Sequence, residues 1–199
     1  MEKELLSLLA ARKGHFQFES GHHGDLWLDL ELLCLRPGRL RRPAAELAKR
    51  LSGHNIEAVC GPLVEGAFVA LMVASELDVE FCYSERFASP QGDALYPVKY
   101  RIPTAVRGEV RGKRVAIVND VVNAGSAVRG TFADLMACGA DPVAIGTLVA
   151  LGSSVFSFAT DKNMAFQSIA SLPNLLWAPS QCPLCASGVP LESMAGPTE

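Results

Sequence analysis

The stretch from Asn119 to Ala127 places an acidic side chain beside a run of small residues, directly after the apolar run at residues 115–118. If it joins a core strand to a helix, its small residues let backbone N–H groups close around an anion, and the helix start favours a phosphate there. The Ser126 hydroxyl can add a donor, while the Asp120 carboxylate can accept hydrogen bonds from sugar hydroxyls. The same turn is equally typical of a plain strand-to-helix connection in which Gly125 allows close packing.

Two other phosphate-binding signatures are missing from the sequence. A Walker A sequence needs Gly-Lys followed by Ser or Thr, and a dinucleotide turn needs GxGxxG; neither occurs. This argues against ATPases and dinucleotide enzymes. A phosphoribose site is the remaining common solution for such a turn.

Alternating hydrophobic periodicities predict that strands and helices pack as α/β layers around this turn. In an open parallel sheet, ligands bind beyond the carboxyl ends of the strands. The patterns predict strands at residues 56–60, 79–84, 97–102, 111–120 and 142–151, and helices at residues 2–13, 40–53, 68–77 and 128–139. They also predict a loop from Arg86 to Pro97 and a loosely held tail from Ser187 to Glu199.

The composition limits the classes of protein that this chain can represent. Its 199 residues are 49% hydrophobic, enough for one well-buried core, so we expect a single domain. The formal net charge of −3 lacks the basic excess of nucleic-acid-binding proteins. The charge-free stretch at residues 142–158 is too short to span a bilayer, and the N-terminus does not resemble a signal peptide. We therefore expect a cytoplasmic protein that binds neither nucleic acid nor membranes.

Several segments together resemble one family. VAIVNDVVNAGSA (115–127) is similar to the phosphoribosyl pyrophosphate motif of type I phosphoribosyltransferases. GHFQFESGHHGDLWLD (14–29) and VCGPLVEGAFVA (59–70) resemble the N-terminal signature and pyrophosphate turn of the orotate phosphoribosyltransferases. YSER (83–86) and LWAPSQCPLCASGVPL (176–191) resemble segments of a bacterial branch of that family. The resemblance covers nearly the whole chain.

The resemblance implies a fold and an activity. The fold is the three-layer α/β fold of type I phosphoribosyltransferases, with a mainly parallel central sheet and a small hood from about residues 1–35 and 160–199 of the single domain 1–199. The activity is transfer of ribose 5-phosphate from phosphoribosyl pyrophosphate to a nucleobase, above all orotate, with release of pyrophosphate. Mg²⁺ would be bound mainly through the pyrophosphate substrate rather than by a protein cage. The family also implies a homodimer.

The resemblance assigns the site residue by residue. Asp120 would hold the ribose hydroxyls beside Asn119, Arg86 would meet the pyrophosphate, and Lys99 and Arg101 would be further cationic candidates. Asp120, Arg86 and Lys99 are thus the candidate catalytic residues. The loop that begins at Arg86 would act as a lid. The 5-phosphate turn would be Asn123, Ala124, Gly125, Ser126 and Ala127, and the pyrophosphate turn Leu63, Val64, Glu65 and Gly66.

The sequence departs from the family pattern at three places. Asn119 stands where an acid is usual, Glu19 takes a position where some members carry a lysine, and the usual lysine- and histidine-rich loop is missing. Two alternatives therefore stay open. One is a regulatory protein that binds phosphoribosyl pyrophosphate without turning it over, and the other is a purine phosphoribosyltransferase.

The CxxC pair formed by Cys182 and Cys185 matches half of a tetrahedral zinc site. A closed site needs four ligands, and the other cysteines fall inside predicted strands and a helix. The histidines lie far away near the N-terminus, where we interpret His22 and His23 as part of a polar loop. We therefore expect no metal ligands in the protein and no stoichiometric zinc.

Overall fold

The structure is a computed structural model and describes residues 2–7, 9–29, 31–88 and 98–193. Every helix in these segments is too short or too polar to span a bilayer. The elements, in chain order, are α1 (Glu2–Leu6), β1 (Ala10–Gln17), β2 (His23–Asp29), α2 (Glu31–Cys34), α3 (Arg41–Leu51), β3 (Ala58–Pro62), α4 (Glu65–Leu77), β4 (Glu80–Ala88), β5 (Val98–Arg101), β6 (Arg114–Val122), α5 (Ser126–Ala137), β7 (Asp141–Leu151), α6 (Ser154–Asp161), β8 (Ala165–Leu172), β9 (Leu176–Trp177), α7 (Pro183–Ala186) and β10 (Glu192–Ser193).

A six-stranded sheet in the order β5-β4-β3-β6-β7-β8 forms the centre of the fold. Its pairings are parallel from β4 to β8, and only the edge strand β5 runs antiparallel to its neighbour. The carboxyl ends of β3 and β6 therefore lie side by side at one edge of the sheet. This confirms the predicted α/β fold with a mainly parallel central sheet.

Helices cover both faces of this sheet and give it three layers. Along β6, Ala116 and Val118 point into the core beneath α3 and α4. Val115 and Ile117, one residue out of phase, point into the core beneath α5 and α6. Because successive side chains of a strand face opposite ways, a strand buried on both faces is apolar throughout, as VAIV is.

The second sheet combines strands from both ends of the chain, in the order β10-β1-β2-β9. β1 and β2 pair antiparallel, β10 lies parallel to β1, and β9 lies antiparallel to β2. The predicted hood boundary at residue 160 was too early, because β8 belongs to the central sheet. The C-terminal contribution to the small sheet begins at β9.

The predicted helix over residues 2–13 was too long. α1 ends at Leu6, and β1 begins at Ala10, where residues 10–13 pair with Leu26 to Asp29 of β2. Strand pairing there satisfies the backbone and overrides the helical spacing of the leucines. The predicted cap at Gly53 was also misplaced. A 3₁₀ turn follows α3, and the residue in the left-handed conformation is Asn55, with φ of 50°.

The first residues of the predicted loop from Arg86 to Pro97 belong to a strand. β4 continues through Ala88 because Arg86 and Phe87 pair with Tyr100 and Lys99 of β5. Residues 89–97 lie outside the described residues, as does the end of the predicted tail from residue 194 onward. The start of that tail is held in place, since Glu192 and Ser193 pair with β1.

Candidate functional site

A cavity of about 620 Å³ opens at the carboxyl ends of β3 and β6. It brings together most of the site residues that the sequence predicted, from both turns and from β4. Four further residues, Glu19, Pro62, Glu85 and Tyr100, line the same space. The predicted residues at the cavity are Leu63, Val64, Glu65, Gly66, Arg86, Asn119, Asp120 and Ala127.

The turn after β3 packs closely against the end of β6. A Cβ atom at Gly66 would collide with the side-chain oxygen of Asn119, so only glycine lets the two turns approach this far. Asn119 is held in place because its amide donates a hydrogen bond to the carbonyl of Val121 over 2.9 Å. The side chain of Val64 is 54% exposed, which leaves the outer side of this turn open to a ligand.

The turn after β6 leads into α5, as predicted. Gly125 precedes the helix with φ of 85°, and a Cβ atom there would lie 2.5 Å from Cγ2 of Val155. Within the described residues, no side chain caps the first N–H groups of α5. The helix start therefore has the free donors that an anion needs.

Side chains of α5, of the start of α6 and of the segment between β8 and β9 fix the shape of this turn. The Ala124 carbonyl accepts hydrogen bonds from the Ser154 hydroxyl over 3.2 Å and from Arg129 Nε over 3.3 Å. Asn174 Nδ2 donates to Asn123 Oδ1 over 2.8 Å. Asn123 Nδ2 and, on the facing amide, Asn174 Oδ1 are buried and find no partner in the parts of the chain that the structure describes. Because an unpaired buried donor is costly, the Asn123 amide favours an acceptor supplied by a ligand.

Asp120 lies at the end of β6 with 7% of its surface exposed. The Thr147 hydroxyl of β7 lies 3.0 Å from the Asp120 carbonyl and anchors the backbone at this point. The carboxylate borders the cavity between the two turns. Such a partly buried carboxylate is placed to accept charge-assisted hydrogen bonds from hydroxyl groups.

Sequence reasoning missed the pairing of Tyr100 with Glu19. Tyr100 in β5 donates its hydroxyl to Glu19 Oε1 over 2.9 Å, and Arg86 Nε lies 3.3 Å from Glu19 Oε2. Burial, followed by the nearby Glu19 charge, raises the pKa of Tyr100 well above its usual range, so the phenol stays a donor. The only sequence signal was the alternation along β5, which turns Tyr100 to the side opposite Lys99 and Arg101.

Lys99 and Arg101 do not line the cavity that contains Asp120. Lys99 borders a neighbouring cleft of about 390 Å³, which also contains Ser126 and Tyr100. The Arg101 guanidinium lies 5.3 Å from the centre of the Phe87 ring, a cation–π contact. Of the three predicted cations, Arg86 alone lies at the cavity beside the pyrophosphate turn.

The two neighbouring histidines have different surroundings. His22 Nδ1 lies 3.0 Å from the Ser20 hydroxyl, and burial lowers the pKa of His22. His23 is the first residue of β2 and faces His15, with ring centroids 5.1 Å apart. Only His22 therefore fits the predicted polar loop.

The three layers around a mainly parallel sheet form the type I phosphoribosyltransferase fold. Adenine phosphoribosyltransferase from Thermoanaerobacter pseudethanolicus has the same fold, with a TM-score of 0.67 and 17% identity, over 86% of this chain and 100% of that one. Orotate phosphoribosyltransferase from Aeropyrum pernix aligns with a TM-score of 0.62 and 21% identity, over 85% of this chain and 93% of that one.

The sequence comparisons agree with the fold. Residues 38–165 match the phosphoribosyl transferase domain, and the chain belongs to that family. Orotate phosphoribosyltransferase of Caldanaerobacter subterraneus subsp. tengcongensis is 29% identical over 96% of both chains. Orotate phosphoribosyltransferase of Thermotoga maritima is 30% identical, again over 96% of both chains.

Proposed function

We propose that the protein transfers ribose 5-phosphate from phosphoribosyl pyrophosphate to orotate and releases pyrophosphate. The observation that carries this proposal is the cavity in which Asp120 lies between the Gly66 turn and the start of α5. The similarity to orotate phosphoribosyltransferases along 96% of the chain supports orotate over a purine base.

The 5-phosphate would bind at the turn formed by residues 123–127. Four features support this assignment: the uncapped start of α5, the left-handed Gly125, the small Ala124 and Ala127, and the unpaired Nδ2 of Asn123. Hydrogen bonds from several aligned N–H groups and the helix dipole together suit a dianionic phosphate.

With the 5-phosphate bound at this turn, the positions of the ribose and the pyrophosphate would be set. Asp120 would accept hydrogen bonds from the ribose hydroxyls, and the backbone of residues 63–66 would receive the pyrophosphate. Arg86 is 55% exposed while it pairs with Glu19, so its guanidinium can also reach an anion in the cavity. Lys99 would approach from the neighbouring cleft that contains Ser126.

The proposed reaction is displacement at the anomeric carbon. A ring nitrogen of the base forms the new bond and releases its proton to solvent, and the bond from the anomeric carbon to the pyrophosphate oxygen breaks, with the electron pair leaving on that oxygen. The protein orients the two reactants and stabilises the separating charges, and it need not form a covalent intermediate. Bound Mg²⁺ would neutralise part of the leaving charge. Mg²⁺ prefers oxygen ligands such as the carboxylates of Glu65 and Asp120, which lie at the cavity. Substrate oxygens would supply most of its coordination.

The assembly and location are further parts of the proposal. We propose that the chain acts as a homodimer in the cytoplasm, with the chain ends that form the small sheet acting as a hood. The six cysteines are free, which fits a reducing compartment. A scattering mass at assay concentration would test the dimer, and a monomer would contradict it.

The test of the reaction is consumption of orotate in the presence of phosphoribosyl pyrophosphate and Mg²⁺, with adenine as the comparison base. We expect turnover with orotate only. Asp120→Asn should keep the fold and lower kcat/KM by about 10²-fold or more, because it removes a charge-assisted acceptor. Tight binding of phosphoribosyl pyrophosphate with no turnover of either base would instead favour a regulatory protein that binds this ligand without reacting it. The observation that supports this alternative is Asn119, which stands where the family usually has an acid.

A further inference from the structure

Four side chains from both ends of the chain converge on one point in the small sheet. They are His15 of β1, His23 of β2, Cys182 and Cys185, and their ligand atoms all lie within 4.8 Å of one another. His15, His23 and Cys182 are buried, and Cys185 is exposed. The premise that the histidines lie too far from the cysteine pair was therefore wrong, because it considered distance along the sequence only.

Four of the six separations among these ligand atoms are close to those around a tetrahedral ion with two nitrogen and two sulfur ligands. Zn–N bonds of about 2.0–2.1 Å and Zn–S bonds of about 2.3 Å, at tetrahedral angles, place two nitrogens about 3.3 Å apart and a nitrogen and a sulfur about 3.5 Å apart. His15 Nε2 and His23 Nδ1 lie 3.2 Å apart. Of the four nitrogen–sulfur pairs, three are separated by 3.2, 3.3 and 3.7 Å, and all the ligand atoms of the set lie within 4.8 Å of one another.

A hydrogen bond to the backbone sets the orientation of the His15 ring. Its Nδ1 lies 2.8 Å from the Val189 carbonyl, which can only accept, so Nδ1 carries the proton. The Nε2 lone pair then points into the cluster. A carbonyl that fixes the free nitrogen of a histidine ligand is the usual support around protein metal sites.

The backbone of the C-terminal segment presents both thiols to the same point. Cys182 precedes α7, Pro183 begins the helix, and Ala186 N donates to the Cys182 carbonyl over 3.2 Å. One short turn thus brings the two sulfur atoms of the CxxC pair together, and β1 and β2 supply the two nitrogens opposite them.

We propose that His15, His23, Cys182 and Cys185 bind one structural Zn²⁺ per chain. A tetrahedral set of two imidazoles and two thiolates suits zinc, and four protein ligands leave no position for a substrate. This site goes beyond the phosphoribosyl transfer and does not depend on it. It reverses the expectation that the CxxC pair has no metal partner.

The ion would clamp the two ends of the chain together. After β8, the chain returns to the small sheet through β9 and β10, each of which pairs over only two residues. The ligands from β1 and β2 also bracket the turn that carries Glu19, the partner of Arg86 and Tyr100. Zinc would therefore stabilise the small sheet and the position of this turn.

The first test is the metal content of tag-free protein purified without chelators. We expect about one zinc per chain by elemental analysis, and replacement by Co²⁺ should give the intense visible absorption of a tetrahedral thiolate site. Removal of the metal should lower Tm by on the order of 10 °C, and added Zn²⁺ should restore it. Protein without zinc that also fails to take up added Zn²⁺ or Co²⁺ after reduction would overturn the proposal.

Matched variants locate the ion. His23→Asn should lose zinc, whereas His22→Asn, which changes the neighbouring histidine, should retain it. Cys182→Ser combined with Cys185→Ser should lose zinc, whereas Cys34→Ser should retain it. Equal metal contents in His22→Asn and His23→Asn would show that the ion lies elsewhere.

The main competing outcome is a disulfide between Cys182 and Cys185. A mass lower by two hydrogens in the non-reduced protein, together with zinc-independent Tm values, would establish it and exclude the metal site. If the double cysteine variant does not fold, the wild-type metal content and the Co²⁺ spectrum still decide between the two.

Discussion

Replacement of Gly125 by alanine would disturb the phosphate turn in two separable ways. The residue has φ of 85°, a left-handed conformation that costs a residue with a Cβ atom about 1–2 kcal/mol. The new methyl group would also lie 2.5 Å from Cγ2 of Val155, a buried residue in the first turn of α6. Overpacking of this kind costs about 1–3 kcal/mol. We expect the free energy of unfolding to fall by about 2–5 kcal/mol in total.

Substitutions at two other glycines separate the conformational cost of positive φ from the cost of the collision with Val155. Gly112 also has positive φ, at 74°, but a Cβ atom there would meet nothing within 4 Å, so Gly112→Ala should show the conformational cost alone. Gly38 has neither feature, and Gly38→Ala should change the free energy of unfolding by less than about 0.5 kcal/mol. The assay is urea unfolding at equilibrium, with a constant m-value as the condition for comparison.

A double-mutant cycle isolates the collision with Val155. Val155→Ala should be destabilising by itself because it leaves a cavity, yet it should recover about 1 kcal/mol or more in the Gly125→Ala background. The double variant should still bind phosphoribosyl pyrophosphate more weakly than Val155→Ala, because the turn keeps its conformational strain. Equal destabilisation by Gly125→Ala and Gly112→Ala, with no coupling to Val155, would refute this account of the turn.

Two further predictions concern residues that border the cavity. Tyr100→Phe removes the donor to Glu19 and should lower the free energy of unfolding by about 1–3 kcal/mol, measured in urea, whereas Glu19→Gln keeps an acceptor and should cost less. An equal loss in both variants would contradict the proposed hydrogen bond. Asn119→Asp restores the acid that is usual in the family but loses the amide donor to Val121. We expect a lower Tm and no gain in kcat, and a stable, more active variant would show that the amide is not needed there.

The local sequence determined the sheet and the two turns. An apolar run such as residues 115–118 predicts a buried strand, because every side chain of a strand covered on both faces must be apolar. The small residues around Gly125 and the glycine at Gly66 are likewise local signals, since each is needed by the backbone conformation or approach at its own position. This is why the positions of the two strand-to-helix turns were predicted closely.

The tertiary structure alone decided which distant side chains meet. Glu19, Arg86 and Tyr100 come from three separate segments, and no spacing along the chain links them. The same holds for the cluster of histidines and cysteines, in which Cys182 contacts His15 across 167 residues of sequence. These side chains come together only because β9 pairs with β2 and β10 pairs with β1. Periodicity reports on the environment of one element at a time, while the pairing of strands far apart in sequence depends on the packing of the whole chain. The sequence therefore determined the turn around Gly125, and the fold decided what stands opposite it and what joins the two ends of the chain.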